Sequence, residues 1–448
     1  MEHSQFIDKN IELLESGELL TEKEVSVFEK IKAAGSCFDP QVICRVAGGW
    51  VRDKLLGKQS DDIDICIEGC TSDDFGQKLS QQFPENTTKI IVMQENPKQS
   101  KFMKTVRVCI FGDTWIDVCN LRGEETETSP LTDAKHRDLS INALFYNITY
   151  SKVEDLVGGI PDLKNQIIRT PIDPDLTFTE DPLRIIRAIR FYVRLGYKIH
   201  ESIYEAAKLH VTDFEEKITK ERVVAETIKI IEMGGLSTFL DYVIKIGFFD
   251  AIFDPYHLYS LNPLQAQERL NTVMARSPPD LHIPIQLGAI FYPIHDCEPR
   301  PDPEHPRRNQ PAMEWAICRA MRMPVKYAED ANKLVQGALT ANTIELTRKT
   351  VGHWVRKIGS IWPFVKYLIF DQSEFDKCEN NLFKFITEQD LTTCYDMKCL
   401  INGKDLAKLL GIKPGKGFQV HVDELIDWQL ENPNGTKDDY ENYIKNKK

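Results

Sequence analysis

Arg45-Val46-Ala47-Gly48-Gly49-Trp50-Val51-Arg52-Asp53-Lys54-Leu55-Leu56, followed by Asp62-Ile63-Asp64, reads as a strand, a tight glycine turn, a short helix and a second strand carrying two acids. Without Cβ atoms, Gly48 and Gly49 let the backbone approach a ligand closely, while free amides at the helix start and the Arg52 guanidinium suit phosphate oxygens. Residues two apart in a strand project to one face, so Asp62 and Asp64 can converge on a hard, oxygen-seeking cation such as Mg2+. A third acid on a neighbouring strand completes such a site. Asp117, within the strand-like Trp115-Ile116-Asp117-Val118, is the candidate.

Outward from this stretch, residues 1–150 mix β-rich runs (62–67, 106–111, 115–121) with helical segments and turn signals, which predicts an α+β unit. From about residue 178 onward, apolar residues recur at three- and four-residue intervals, the period of amphipathic helices. Six prolines between positions 293 and 311 predict a surface loop. A length of 448 residues calls for more than one core. No apolar run approaches the roughly 18 residues of a membrane helix, and the first residues resemble no leader, so a cytoplasmic protein is expected, with the nucleus and mitochondria as alternatives and no membrane. The eleven cysteines form no C-x-x-C pair and predict reduced thiols. A net charge of −12 excludes coating of nucleic acid by bulk charge, so any RNA contact has to come from local patches.

The order G-G-x-V-R-D then S-x-D-I-D resembles the head of class II CCA-adding tRNA nucleotidyltransferases, a superfamily that includes bacterial-type poly(A) polymerases. Further segments resemble the family's later motifs in order: 134–144 its R-R-D-x-T-x-N-A-L run, 155–163 its D-x-x-G-G-x-x-D-L hinge, 180–191 its nucleotide-reading E-D-x-x-R helix, and 218–226 the helix-stabilising motif that follows. Gly403-Lys404-Asp405-Leu406 and Pro414-Gly415 are similar to eukaryotic members. The resemblance implies an α+β fold, with a nucleotidyltransferase head of small mixed sheet and helices (1–150). An all-helical neck (151–240), body (241–340) and tRNA-binding tail (341–448) follow.

The chemistry implied is transfer of nucleotides from CTP and ATP to the tRNA 3′ end. Two Mg2+ ions, held by Asp62 and Asp64 with Asp117 as third acid, activate the 3′-hydroxyl and neutralise the triphosphate. Asp181 and Arg184, three apart on a helix, project as neighbours. A carboxylate accepts and a guanidinium donates, so the pair suits the amino group and ring acceptor of cytosine or adenine and mismatches uracil and guanine. Arg187 and Arg190 resemble the family's further nucleotide contacts, and Arg137 its triphosphate or ribose contact.

Two departures bear on specificity. His136 replaces an arginine, which predicts a weaker phosphate contact, and the segment 123–136 is only 14 residues long. In the family this segment carries a loop that helps the site switch from C to A, and members with it trimmed resemble CC-adding enzymes. The expectation is therefore CC addition, with a separate enzyme adding A. Full CCA addition, a poly(A) polymerase, and an inactive RNA-binding relative are the alternatives. Intact Asp62, Asp64, Arg137, Asp181 and Arg184 speak against the last, and His295-Asp296, lacking partner histidines, gives no metal hydrolase.

Overall fold

The β-rich runs of the N-terminal part become neighbours in one mixed sheet. The computed structural model describes all residues except 1, 61, 94–103, 123–127, 279–282, 304, 306, 414, 416 and 448. Two units are distinguished, Met1–Ile252 and Phe253–Lys448.

In the first unit, α1 (His3–Ser16) and α2 (Glu22–Gly35) precede β1 (Ile43–Ala47), α3 (Gly49–Leu55), β2 (Ile63–Glu68) and α4 (Ser72–Gln82). Then come β3 (Thr87–Met93), β4 (Thr105–Ile110), β5 (Thr114–Asn120), α5 (Pro130–Lys135), β6 (Phe145–Asn147) and β7 (Lys152–Glu154). The strand order is β3-β4-β5-β2-β1-β6-β7. Within this sheet only β2 and β5 run parallel and the other pairs are antiparallel; a separate two-residue parallel ladder joins Ile167–Ile168 to Lys198–Ile199, inside the stretch expected to be all-helical.

Alternation decides what each face carries. Ile63, Ile65 and Ile67 of β2, Val106, Val108 and Ile110 of β4, and Ile116 and Val118 of β5 are buried. On this apolar face α4 approaches so closely that a Cβ on Gly76 would stand 2.9 Å from the Val106 side chain. The opposite face bears Asp64, Arg107 and Asp117, and further along the strands a small core of Cys66, Leu121, Ala134, Ala143 and Phe145.

The helical part of this unit comprises α6 (Gly159–Asn165), α7 (Pro174–Glu180), α8 (Leu183–Leu195), α9 (Glu201–Leu209), α10 (Val211–Lys217), α11 (Lys220–Glu232) and α12 (Leu236–Lys245). The Gly158-Gly159 hinge is closed by the Asp155 carboxylate, which accepts from the amides of Gly158, Gly159 and Ile160. A Cβ on Gly159 would lie 2.3 Å from the Ser140 carbonyl, so only glycine fits there.

The second unit is helical, with Pro263–Arg276, Val325–Thr340, Arg348–Ile358 and Phe418–Glu431 among its longer helices. The proline-rich stretch holds a two-residue ladder between Arg300–Pro301 and Asn309–Gln310. Gly403-Lys404-Asp405-Leu406 opens the helix Gly403–Leu410, and Pro414 lies outside the described residues. All eleven cysteines are free thiols, most of them buried. No helix among the described residues is long and apolar enough to cross a membrane.

Candidate active site

Strand register assembles the acids. In the parallel β2/β5 pair Asp64 stands beside Asp117, and in the antiparallel β4/β5 pair Arg107 stands opposite Asp117. The Arg107 Nε donates to Asp117 Oδ1 at 2.9 Å. Asp62 lies exposed just before β2. Asp64 keeps an open edge, yet its carboxyl is crowded: desolvation first, then Asp117, raise its pKa, with Arg137 opposing. Among the described residues no three acids converge into a ready cation cage. Asp64 opens onto a cleft of about 480 Å³, whereas Asp62 opens onto a second of about 550 Å³ with Arg107 and Trp115. Mg2+ is usually held by one or two carboxylates, with substrate phosphates and waters completing its shell. A like-charged pair of hard oxygen donors at Asp64 and Asp117 fits that demand.

Among the described residues, eight arginines line the first cleft (Arg52, Arg122, Arg137, Arg184, Arg187, Arg190, Arg194 and Arg222) against four acids (Asp64, Asp138, Asp181 and Glu226). The excess of four positive charges is the local patch that the net charge of the chain conceals. Spacings of three, three and four residues put Arg184, Arg187, Arg190 and Arg194 on one stripe of α8, while Ile185, Ile186 and Ile189 are buried. Glu226 of α11 pairs with Arg190 and, at 3.7 Å, with Arg187. Arg137 rests on Asp133 at 3.0 Å and over the Phe145 ring; burial works against its charge, but Asp133 holds it protonated. Arg137 Nε and Arg222 Nε are buried with no hydrogen-bond partner among the described residues, donors suited to an anionic ligand.

The glycine turn is positioned as expected, but its amides and Arg52 are not all free. Gly48 N donates to the Leu144 carbonyl, and the buried Arg52 is committed to Asp53 and the Asn142 amide oxygen while its guanidinium faces the cleft. Gly48 has φ +74°, and a Cβ there would come within 3.1 Å of Arg137 Nη1. Gly48→Ala is therefore expected to cost about 1–3 kcal/mol of strain, read as a lower melting temperature.

The helical placement of Asp181 needs correction. Asp181 follows α7 in an extended conformation (φ −151°, ψ 97°), and α8 begins only at Leu183. Pro182 is the reason, because the proline ring bars the preceding residue from the helical region. The Asp181 carboxylate accepts from Leu183 N at 3.3 Å and from Arg222 at 2.7 Å. Arg184 is fixed by Glu180, the Thr177 carbonyl and the His136 carbonyl. Both side chains nevertheless line the same cleft as Asp64.

The His136 side chain turns to Glu180 at 3.3 Å and is not among the residues lining the cleft. Its carbonyl does the structural work, accepting from Arg122 and Arg184 at 2.8 Å each. Residues 123–127 of the short segment lie outside the described residues.

Asp138 holds Arg187 at 2.7 Å. Burial alone raises the Asp138 pKa, but Arg187, the Asn142 amide and Arg184 outweigh it and hold the carboxyl well below its usual range. A depressed carboxylate pKa stabilises the fold fully above the unfolded value of about 3.9 and loses that contribution as pH falls through the folded value. Arg187→Ala is expected to destabilise by roughly 2–3 kcal/mol at pH 7, with the gap to wild type in thermal melts narrowing below about pH 4.

Comparison with known proteins follows the same outline. Residues 44–169 match the family described as Poly A polymerase head domain. The tRNA nucleotidyltransferase cca1 of Schizosaccharomyces pombe is 31% identical, covering 94% of this chain and 95% of its own. The tRNA nucleotidyltransferase cca2 of the same organism is 28% identical over 90% and 92%. The solved structure of the Thermotoga maritima CCA-adding enzyme complexed with tRNA shares the fold, with TM-score 0.68 at 20% identity and 97% of each chain covered.

Proposed function

This chain belongs to the family of CCA-adding tRNA nucleotidyltransferases, and from that premise we propose that it adds cytidine from CTP to tRNA 3′ ends and stops at CC. The observation that carries the reading is the shared cleft in which Asp181 and Arg184 face the Asp64 edge of the sheet. Mg2+ would be held by Asp62 and Asp64 with Asp117 as third acid, and when bound would supply charge neutralisation and a more acidic 3′-hydroxyl. The chain's own residues do the rest by position. Arg137, Arg187 and Arg190, with Arg52 and the Gly48-Gly49 turn beneath them, hold the triphosphate and ribose. Asp181 accepts from the amino group of the base, and Arg184 donates to its ring nitrogen. Three acceptors already fix the Arg184 guanidinium, so little ordering remains when a base arrives.

The stop at CC rests on the brief segment 123–136. Its end is tied to the reader, because the His136 carbonyl holds both Arg122 and Arg184. A purine requires that pair to move, and an added cost of about 2.8 kcal/mol slows A addition roughly a hundredfold. Adenosine is then left to a separate enzyme, and the helices of residues 341–448 are assigned to the tRNA body. Extension of a tRNA lacking all three terminal residues, with CTP and ATP both present, is expected to stop after two nucleotides. A third added to an RNA already ending in CC overturns the stop and restores full CCA addition. Long tails from ATP alone indicate a poly(A) polymerase.

A further inference from the structure

Arg107, Asp117 and Asp64 form a row across three adjacent strands, a cation followed by two acids. Arg107 also lines the second cleft, the one onto which Asp62 opens, and its guanidinium lies 5.6 Å from the centre of the Trp115 ring. Among the described residues the other cation lining that cleft, Lys23, is neutralised by Asp113 at 3.2 Å. Arg107 differs in that its partner is the carboxylate standing beside Asp64, and its side chain is 45% exposed, free to swing. While Arg107 donates to Asp117 Oδ1, that oxygen is committed to the guanidinium, and no three acids converge among the described residues.

A planar guanidinium binds a phosphodiester through two parallel hydrogen bonds, and an aromatic ring beside it is a stacking platform for a nucleic-acid base. We propose that Arg107 is a positioning residue that couples arrival of the RNA 3′ end to completion of the metal site. It holds Asp117 until a backbone phosphate of the terminal nucleotide, seated by Trp115 in the second cleft, draws the guanidinium away and frees Asp117 for the cation at Asp64. This rests on the tRNA-extending reading above. Such coupling is reciprocal: RNA tightens metal binding by the factor by which metal tightens RNA binding.

The test is the affinity for Mn2+, read from the electron paramagnetic resonance signal of the free ion. Full-length protein is titrated with and without a synthetic RNA minihelix lacking its three terminal nucleotides, no triphosphate is added, and ion bound by RNA alone is subtracted. In wild type the minihelix is expected to tighten Mn2+ binding about tenfold, the scale of effects exerted by residues that orient metal ligands. Arg107→Gln is expected to bind Mn2+ tightly without RNA and to gain less than about twofold from it, and Asp117→Ala to gain nothing. A residue that merely braces Asp117 gives the opposite sign, with Arg107→Gln weakening Mn2+ binding in both states, and that result overturns the gate. Undiminished coupling in Arg107→Gln overturns it too. Extension of the same minihelix with CTP, run in parallel, separates the failures: extension without coupling in wild type removes the gate alone, and no extension removes the underlying reading together with the gate.

Discussion

Asp64→Asn is expected to reduce CTP incorporation by at least about a thousandfold, the effect of losing roughly 4 kcal/mol of transition-state stabilisation, while leaving the protein as stable as wild type or more so. The expected result has two halves. Asp64 is the acid that register places beside Asp117, so the amide removes half of the charge available to a cation at that point. Yet the Asp64 carboxyl has a raised pKa, from crowding and from Asp117. A carboxylate whose pKa is higher folded than unfolded costs stability once pH exceeds the unfolded value of about 3.9, and the neutral amide removes that cost at pH 7. Melting curves and incorporation assays on one preparation check both halves. Asp62→Ala is expected to lose activity in the same way. Near-normal incorporation by either variant at saturating Mg2+ would sink the metal assignment.

The second large effect concerns choice of base. Asp181→Ala is expected to lower the CTP rate and to shrink the preference for CTP over UTP by about ten- to a hundredfold, since a well-placed base contact discriminates by about 1–3 kcal/mol. The carbonyl of uracil no longer meets a buried carboxylate. Arg222 loses its 2.7 Å partner in this variant, which accounts for part of the rate loss, so the ratio between nucleotides and not the rate is the informative quantity. An unchanged ratio shows that Asp181 does not read the base.

Much of this arrangement is legible in local sequence chemistry. Alternation places Asp117 among Ile116 and Val118 as an acid on an otherwise apolar strand, and register then puts it beside Asp64. The arginine stripe of α8 follows from spacing alone. What local pattern does not carry is pairing at a distance. Nothing around Val106 or Val108 indicates that Arg107 faces Asp117, and nothing near Arg187 points to Asp138, 49 residues earlier. Arg222 and Glu226 belong to a helix motif whose sequence suggests only a stabilising role; their position in the arginine cleft emerges when α11 packs on α8. The strand β3 escapes a local reading because its ladder partner β4 lies beyond residues 94–103. The extended backbone of Asp181 is different, since Pro182 is in plain view and its effect on the preceding residue is local.

Protein side chains, with no nucleic-acid template, are expected to restrict this cleft to cytidine at a tRNA 3′ end. The most direct measurement offers each of the four triphosphates singly, with Mg2+, to a tRNA lacking its three terminal residues, and resolves products nucleotide by nucleotide. Growth by two residues is expected with CTP, and essentially none with UTP, GTP or ATP. Comparable growth with UTP, or no growth with CTP, would contradict that restriction.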